Sequence, residues 1–331
     1  MDIKKSKKFL CVLASIYWLM VILIFVIARS KFNVCIPHTY INIYWLTVFG
    51  IFLIVFLYTL WGIRRGLKGK NNFVVSFLTL YSKYSFLLKQ LVNRDFKVKY
   101  KRSVLGVFWS FLNPLLIMGV QYIVFSTIFK SSTENYPVYL LVGTVFYNFF
   151  SEAAGLGLSS ITGNASLIKK VYMPKYIYPL ARLLSSLINL ALSFIPLIIV
   201  MIITGTPWTW NLLLLIFDIF CLLVFTFGIV LILSTLMTFF QDTQFLWSVV
   251  SMVWMYLTPI FYTEDIIPSQ FQTLYHMNPL YQYIQFARVC IIAGQTPDAM
   301  QYVYCLLSAF VVLFIGLFVF KKKQDKFVLY L

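Results

Sequence analysis

A group of basic side chains stands immediately before a long apolar stretch of the sequence. Arginine presents a planar fork of donors and lysine a compact charge, and both suit phosphate oxygens. The same charges also serve to orient a membrane protein and to contact anionic lipid headgroups. The residue types alone leave both interpretations open. The group consists of Arg94, Lys97, Lys99, Lys101 and Arg102.

Motifs of the common catalytic and nucleotide-binding sites do not occur in the sequence. There is no GxxxxGKS or GxxxxGKT phosphate loop, no GxSxG, no HExxH and no glycine-rich dinucleotide motif. Only two histidines are present, and none of the five cysteines forms a CxxC pair. We therefore expect no catalytic site, no metal site and no cofactor in this chain.

Two acidic residues, Glu152 and Asp218, fall inside apolar stretches. A charge at the centre of a membrane helix costs about 2.5–3.5 kcal/mol on insertion scales, so these side chains should face protein or water. A role in a transport pathway and a structural hydrogen bond between helices both explain such residues.

The composition requires a membrane. Of the 331 residues 61% are hydrophobic and only 11% are charged, whereas soluble domains have about 25% charged residues. The net charge of +17 does not indicate nucleic-acid binding, because the basic residues cluster between apolar runs. We predict an all-α membrane protein with eight spans. They cover 9–28, 43–63, 104–129, 138–160, 177–204, 211–239, 245–262 and 299–320.

The distribution of charge predicts the orientation. With the amino terminus in the cytosol, the cytosolic segments hold 23 of the 27 basic residues, as the positive-inside rule requires. Eight crossings return the carboxyl terminus to the same side. We expect a bacterial cytoplasmic membrane protein with both termini in the cytosol.

Two further hydrophobic segments are not expected to span. Residues 73–92 repeat polar side chains at helical spacing, which predicts an amphipathic helix at the cytosolic interface within 71–103. The apolar part of 263–298 is short and contains Gln282, Gln285 and Arg288. It suits either a re-entrant helix or an ordinary outer loop with a surface helix.

Several stretches resemble one family of transporters. They read LLKQLVNRDFKVKYKRSVLGVFWSFLNPL at 87–115, YPVYLLVGTVFYNFF at 136–150 and NASLIKKVYMPKYIYPLARLLSSLIN at 164–189. Two more follow at 239–262 and 277–288. Together they resemble the membrane subunit of type-2 ABC exporters for cell-surface polysaccharides, namely O-antigen, capsule, teichoic acid or rhamnan.

The resemblance implies a six-span permease core at 104–331 and a homodimer with the pathway between two copies. It also implies a separate ATP-binding cassette subunit that carries ATP and magnesium, a lipid-linked glycan as substrate, contact with membrane lipids and no nucleic acid. The sequence departs from the family at 1–70, where a two-span hairpin of unassigned role is added.

The resemblance also assigns roles to particular residues. The 73–102 region would rest on the ATPase, 263–295 would form an outer re-entrant pair, and the five basic residues from Arg94 to Arg102 would meet the lipid diphosphate. The residues that would couple to the ATPase are Leu167, Lys169, Lys170, Tyr172, Pro174, Lys175, Gln241 and Asp242.

Aromatic residues make up 19% of the chain. Sugar CH faces stack on aromatic rings, so an aromatic lining would suit a sliding glycan, although ordinary packing or lipid contact explains the same rings. We predict a pathway lined by Trp109, Tyr122, Phe146, Tyr147, Phe149, Phe150, Glu152 and Trp254.

Three other functions compete with polysaccharide export. A type-2 ABC permease for a drug or a lipid would use the same fold. A membrane-embedded glycosyltransferase would need a clustered acid and base, and none is visible. A secondary transporter would predict an internal repeat with functional charge at the midplane.

Overall fold

The computed structural model of the chain describes residues 73–101, 103–128, 135–170, 173–262 and 269–331. Regular structure in these ranges is helical, and no strand occurs among them. The chain divides into two compact units, Met1–Leu88 and Lys89–Leu331. The predicted spans at 9–28 and 43–63, and with them the hairpin at 1–70, lie outside the described residues.

The described residues form eleven α-helices, α1 to α11 in chain order. They are α1 (Phe73–Tyr100), α2 (Phe108–Ile128), α3 (Tyr136–Leu158), α4 (Ala165–Lys170), α5 (Ile177–Thr204), α6 (Leu215–Phe239), α7 (Thr243–Leu257), α8 (Ser269–His276), α9 (Pro279–Arg288), α10 (Ala299–Lys323) and α11 (Phe327–Tyr330).

Helix α1 covers the segment predicted to lie at the interface, and α2 follows it after a short turn. The turn contains Gly106, whose positive φ of 52° suits a residue without a side chain. The Gly106 amide donates to the Ser103 hydroxyl over 3.0 Å. This left-handed residue delays the start of α2 to Phe108, four residues after the predicted start of the span.

Helix α3 forms the centre of the core. Asn135 adopts a left-handed conformation before it, and Pro137 in the first turn suits the start of a helix because its missing amide has no helical partner there. Most side chains along α3 are buried. They pack against α2, α5, α6 and α9, so α3 links the first described helices of the bundle to the later ones.

Helices α6 and α10 approach each other closely through a pair of glycines. A Cβ atom on Gly316 would lie 2.4 Å from the carbonyl oxygen of Gly228. A Cβ atom on Gly228 would lie 2.6 Å from the backbone of Val312. Small residues of this kind allow membrane helices to approach backbone to backbone.

Four helical stretches among the described residues are long and apolar enough to cross a membrane. They are Phe108–Phe125, Ile177–Thr204, Trp210–Phe239 and Ala299–Tyr330. They fall on four of the spans expected from the sequence, and α5 has the predicted bounds. Gly205 ends α5 in a left-handed conformation, which is a common helix stop.

Helix α7 is shorter than the span predicted at 245–262. It has 15 residues, which corresponds to about 22 Å, whereas the hydrocarbon core is about 30 Å thick. The helix ends at Leu257 because Thr258 precedes Pro259 and is forced into an extended conformation.

The segment after α7 contains two helices. Helix α8 is followed by α9, which begins where the Asn278 side chain accepts from the amide of Leu280. Helix α9 continues as a π-helical turn over Val289–Ala293, which ends at Gly294 with a φ of 61°. Side chains from Leu280 to Ile291 are mostly buried, so α9 is not a helix on the protein surface.

Candidate functional site

A polar cluster joins α1 to the apolar helices beside it. The Glu152 carboxylate on α3 accepts from the Lys99 ammonium over 2.7 Å. The same oxygen accepts from the Asn189 amide of α5, also over 2.7 Å. The Tyr100 hydroxyl donates to the Asn189 carbonyl oxygen over 3.1 Å and is hydrogen-bonded to Ser110 on α2. The cluster thus joins side chains from four helices, α1, α2, α3 and α5.

A second group of charges holds α1 against the start of α5 and the turn before α4. Asp95 forms ion pairs with Arg94 and Arg182, each at 3.0 Å. The Arg94 guanidinium also donates to the Asn164 side chain over 3.1 Å. Asn164 in turn donates to the carbonyl of Ser160 over 2.7 Å. The end of α1 is therefore fixed at two places on the core.

Basic residues at the end of α1 and immediately after it border an open hollow of about 750 Å³. Lys97 and Lys101 are exposed at its edge. Arg94 also lines it while contacting Asp95, and Lys99 is instead paired with Glu152. Arg102 lies outside the described residues. Of the five predicted phosphate-binding residues, the structure brings three to one hollow, whose other lining residues are Gln90, Asn93, Phe96, Val98, Tyr100 and Val107.

The first group of residues predicted to couple to an ATPase lies on α4 and the stretch after it. Ile168 is buried and anchors the short helix. Leu167, Lys169 and Lys170 are exposed beside it, and Pro174 and Lys175 are half-buried. Tyr172 lies outside the described residues.

The second group lies in the turn between α6 and α7. Gln241 and Asp242 are both exposed there. Thr243, the first residue of α7, is buried, and its hydroxyl donates to the Phe240 carbonyl over 2.6 Å. The buried threonine fixes the turn and leaves the two predicted coupling residues free to meet a partner.

The aromatic residues predicted to line a pathway differ in their exposure. Four of them on α3 are buried within the core of one chain, where the Phe150 ring lies 5.2 Å from that of Trp254. Trp254 is half-buried, and its indole donates to Asn278 over 2.9 Å. Trp109 and Tyr122 on α2 are exposed. The four buried rings belong to Phe146, Tyr147, Phe149 and Phe150.

Arg288 forms a buried polar site that the sequence analysis did not predict. We expected it only as a polar interruption of an outer segment, yet it is 4% exposed. Its guanidinium donates to the carbonyls of Pro259 over 2.8 Å and Ile260 over 3.0 Å. It also lies 3.4 Å above the ring of Tyr139. A Cβ atom on Gly143 would lie 2.9 Å from this group, so the glycine makes room for it.

The arginine fixes the stretch of chain that follows α7. Two tyrosines of α3 assist it: the Tyr136 hydroxyl donates to the Phe261 carbonyl over 2.6 Å and the Tyr139 hydroxyl to that of Tyr262 over 2.8 Å. The signal that would have indicated this site is an arginine within an apolar segment. A buried guanidinium needs several acceptors, and backbone carbonyls beside a proline such as Pro259 are available to it.

Asp218, the second acid predicted within a span, is fully buried in α6. Its carboxylate oxygens have no hydrogen-bond partner among the described residues. Glu152 and Asp218 therefore differ, since only Glu152 joins neighbouring helices through hydrogen bonds.

Comparisons with known proteins agree with one family. A family model described as ABC-2 type transporter matches residues 86–292. The O-antigen export system permease protein RfbA of Klebsiella pneumoniae is 32% identical over 248 residues, which cover 73% of this chain and 93% of that protein. RfbA of Myxococcus xanthus is 28% identical over 247 residues, covering 74% and 95%. The polysialic acid transport protein KpsM of Escherichia coli is 24% identical over 244 residues, covering 72% and 93%.

Replacing Arg288 should destabilise the fold. Arg288→Lys should lower the melting temperature in detergent, because one ammonium cannot reproduce the fork to two carbonyls and the stacking on Tyr139. Arg288→Met should lower it further, since each buried carbonyl left without a donor costs about 1–3 kcal/mol. Lys321→Met, on an exposed site, is the control. A melting temperature of Arg288→Lys equal to that of the unmodified protein would contradict this role.

Proposed function

Because the chain belongs to the ABC-2 type transporter family, we propose that it is the membrane permease of an ATP-driven exporter. Its substrate is a lipid-linked cell-surface polysaccharide, which it moves across the cytoplasmic membrane. The observation that carries this proposal is the similarity to O-antigen and polysialic acid export permeases along nearly their whole length. The chain itself is not an enzyme, and ATP and magnesium bind to a partner subunit.

The proposed topology has eight spans with both termini in the cytosol. Its support is the gathering of basic side chains at one end of the Lys89–Leu331 unit, which we call the basic end. The basic end comprises the last turns of α1, the segment from α4 to the start of α5, and the end of α10. Arg94, Lys175 and Arg182 join these parts through the contacts with Asn164, Gln324 and Asp95. The positive-inside rule directs such an end to the cytosol.

The proposed ATPase contacts lie at the basic end and in the turn between α6 and α7. Leu167, Lys169 and Lys170 on α4, with Gln241 and Asp242 in the turn before α7, expose side chains that a partner can reach. ATP-driven closure of the partner would move these two loops and α1 together. The movement would separate the core spans and open a path for the glycan.

Two copies of the chain would enclose that path. Helices α2 and α7 expose many large apolar side chains, which require lipid or a second copy of the chain to cover them. Trp109 and Tyr122 lie among the exposed side chains of α2. These two rings can meet a sugar without repacking the core, whereas Phe146 and Phe150 require α3 to part from its neighbours.

The hollow beside α1 is the proposed site of the lipid diphosphate. Lys97 and Lys101 are exposed there, and Arg94 contributes a guanidinium. Three cations around one opening suit the several oxygens of a diphosphate. The volume of about 750 Å³ admits a headgroup with its first sugar.

The Glu152 cluster is the proposed mechanical link between α1 and the bundle. Lys99 lies one residue before the end of α1, and its ammonium meets a carboxylate on the central helix α3. Asn189 extends the connection to α5. A displacement of α1 by the ATPase would therefore pull directly on α3 and α5.

The partner can be tested by purifying the tagged chain from its host in mild detergent. A P-loop ATPase should co-purify at equal stoichiometry and hydrolyse ATP. Combined replacement of Lys169, Lys170 and Asp242 by alanine should weaken this association, because these exposed charges would face the partner. Combined replacement of Lys321 and Lys322, also exposed at the basic end, is the control. A chain that purifies without an ATPase in every detergent would overturn the exporter proposal.

The headgroup site can be tested in vesicles that contain the permease, its ATPase and a lipid-linked glycan. Replacing Lys97 and Lys101 by alanine should raise the glycan concentration needed for half-maximal ATPase stimulation about tenfold, because two solvent-exposed ion pairs of roughly 0.2–1 kcal/mol each are lost. Lys89→Ala, an exposed lysine of the same helix outside the hollow, is the control. An effect that disappears in vesicles without anionic lipid would show that these lysines contact lipid headgroups instead.

A further inference from the structure

The segment that follows α10 folds back onto the basic end. After Lys323 the chain makes a turn over Gln324–Lys326 and enters α11. Phe327, the first residue of α11, is 0% exposed, whereas Leu329 is 81% exposed. Short segments of this kind are usually poorly held unless a side chain anchors them. Phe327 is that anchor.

Phe327 packs against the end of α6, immediately before the turn that carries Gln241 and Asp242. Its ring lies 5.9 Å from that of Phe239, the last residue of α6, in an edge-to-face arrangement. The ring of Tyr330 approaches Phe239 to 4.7 Å, also edge to face. Aromatic pairs in this geometry are favourable beyond the area that they bury. The position of the second proposed coupling loop therefore depends on α11.

The same segment also contacts the first proposed coupling loop. The ammonium of Lys175, in the stretch after α4, donates to the carbonyl of Gln324 over 2.6 Å. It lies 5.8 Å from the centre of the Phe327 ring, within the range of a cation–π interaction. Helix α11 also contacts α4 itself.

The ring of Phe327 thus contacts residues next to both proposed coupling loops, which are far apart in sequence. Phe239 approaches it from the second loop, Lys175 from the first, and Phe320 of α10 closes the cluster with its ring at 5.2 Å. An anchored aromatic ring is rigid, and a charge-assisted hydrogen bond beside it is directional. The two loops are therefore fixed relative to each other by α11 and the turn before it.

We propose that Phe327 and Lys175 form a clamp that makes the two coupling loops move as one body. Phe327 acts as a positioning residue, since its side chain is buried within this chain. The consequence for transport rests on the proposed function of the loops. The clamp itself is a property of this chain and can be measured without the ATPase.

The first experiment measures hydrogen–deuterium exchange in the purified permease. Phe327→Ala should speed amide exchange about tenfold at both 165–170 and 239–244, while the buried segment 280–291 keeps its rate. Leu329→Ala, on the exposed side of α11, should change none of these rates. Phe327→Leu, which keeps an apolar anchor but loses the ring contacts with Phe239 and Lys175, should restore only part of the protection. Unchanged exchange at either loop, or faster exchange in all three segments, would overturn the clamp.

The second experiment measures glycan exported per ATP hydrolysed by the complete complex in vesicles. This ratio is insensitive to a loss of folded protein, because both rates then fall together. Phe327→Ala should lower the ratio severalfold, and Leu329→Ala should leave it unchanged. An unchanged ratio for Phe327→Ala would overturn the role of the clamp in coupling. Absence of export by the unmodified complex would instead overturn the proposed function, and the exchange experiment would still decide whether the clamp exists.

Discussion

The carboxylate of Glu152 sets the arrangement of the first half of the described bundle. A carboxylate on an apolar helix is stabilised when neighbouring helices supply hydrogen-bond donors to it. Glu152 finds them in Lys99 and Asn189, which lie on different helices. The two hydrogen bonds to one carboxylate oxygen therefore fix α1, α3 and α5 relative to one another. Tyr100 adds α2 through its contact with Ser110.

The same constraint explains the irregular parts of the fold. The chain leaves helix α7 at Thr258, and its backbone carbonyls would have no donors in an apolar interior. Arg288 supplies donors to two of them, and glycine at position 143 leaves the space that the guanidinium requires. Where two helices need no polar partner, as at Gly228 and Gly316, they approach through bare backbone instead. After α7, where regular helical hydrogen bonding stops, the Arg288 side chain thus supplies the donors that a continuing helix would have supplied.

Much of the helical framework could be predicted from the sequence, because helix starts and ends depend on neighbouring residues. The bounds of α5 follow from an apolar run that ends at Gly205, and α1 follows from the spacing of polar residues. The early end of α7 also had a local cause in Pro259, which the length of the apolar stretch concealed. The predicted spans within 1–70 lie outside the described residues.

The contacts that make up the candidate site could not be predicted from neighbouring residues. Glu152 was recognised as a residue in need of a partner, but Lys99 and Asn189 are 53 and 37 positions away along the chain. No spacing rule joins them, since their meeting depends on how three helices pack. The burial of the four aromatic rings of α3 and of Arg288 has the same origin. A hydrophobic or aromatic residue type does not distinguish a core side from a pathway side.

The central claim is that the Glu152 cluster carries the movement of α1 into the bundle. Its most direct test is the amount of glycan exported per ATP hydrolysed by vesicles containing the permease and its ATPase. Glu152→Ala should keep the ATPase bound and hydrolysing while this ratio falls severalfold, and exchanging the two charges by Glu152→Lys with Lys99→Glu should restore part of it. A Glu152→Ala permease with an unchanged ratio would contradict the account.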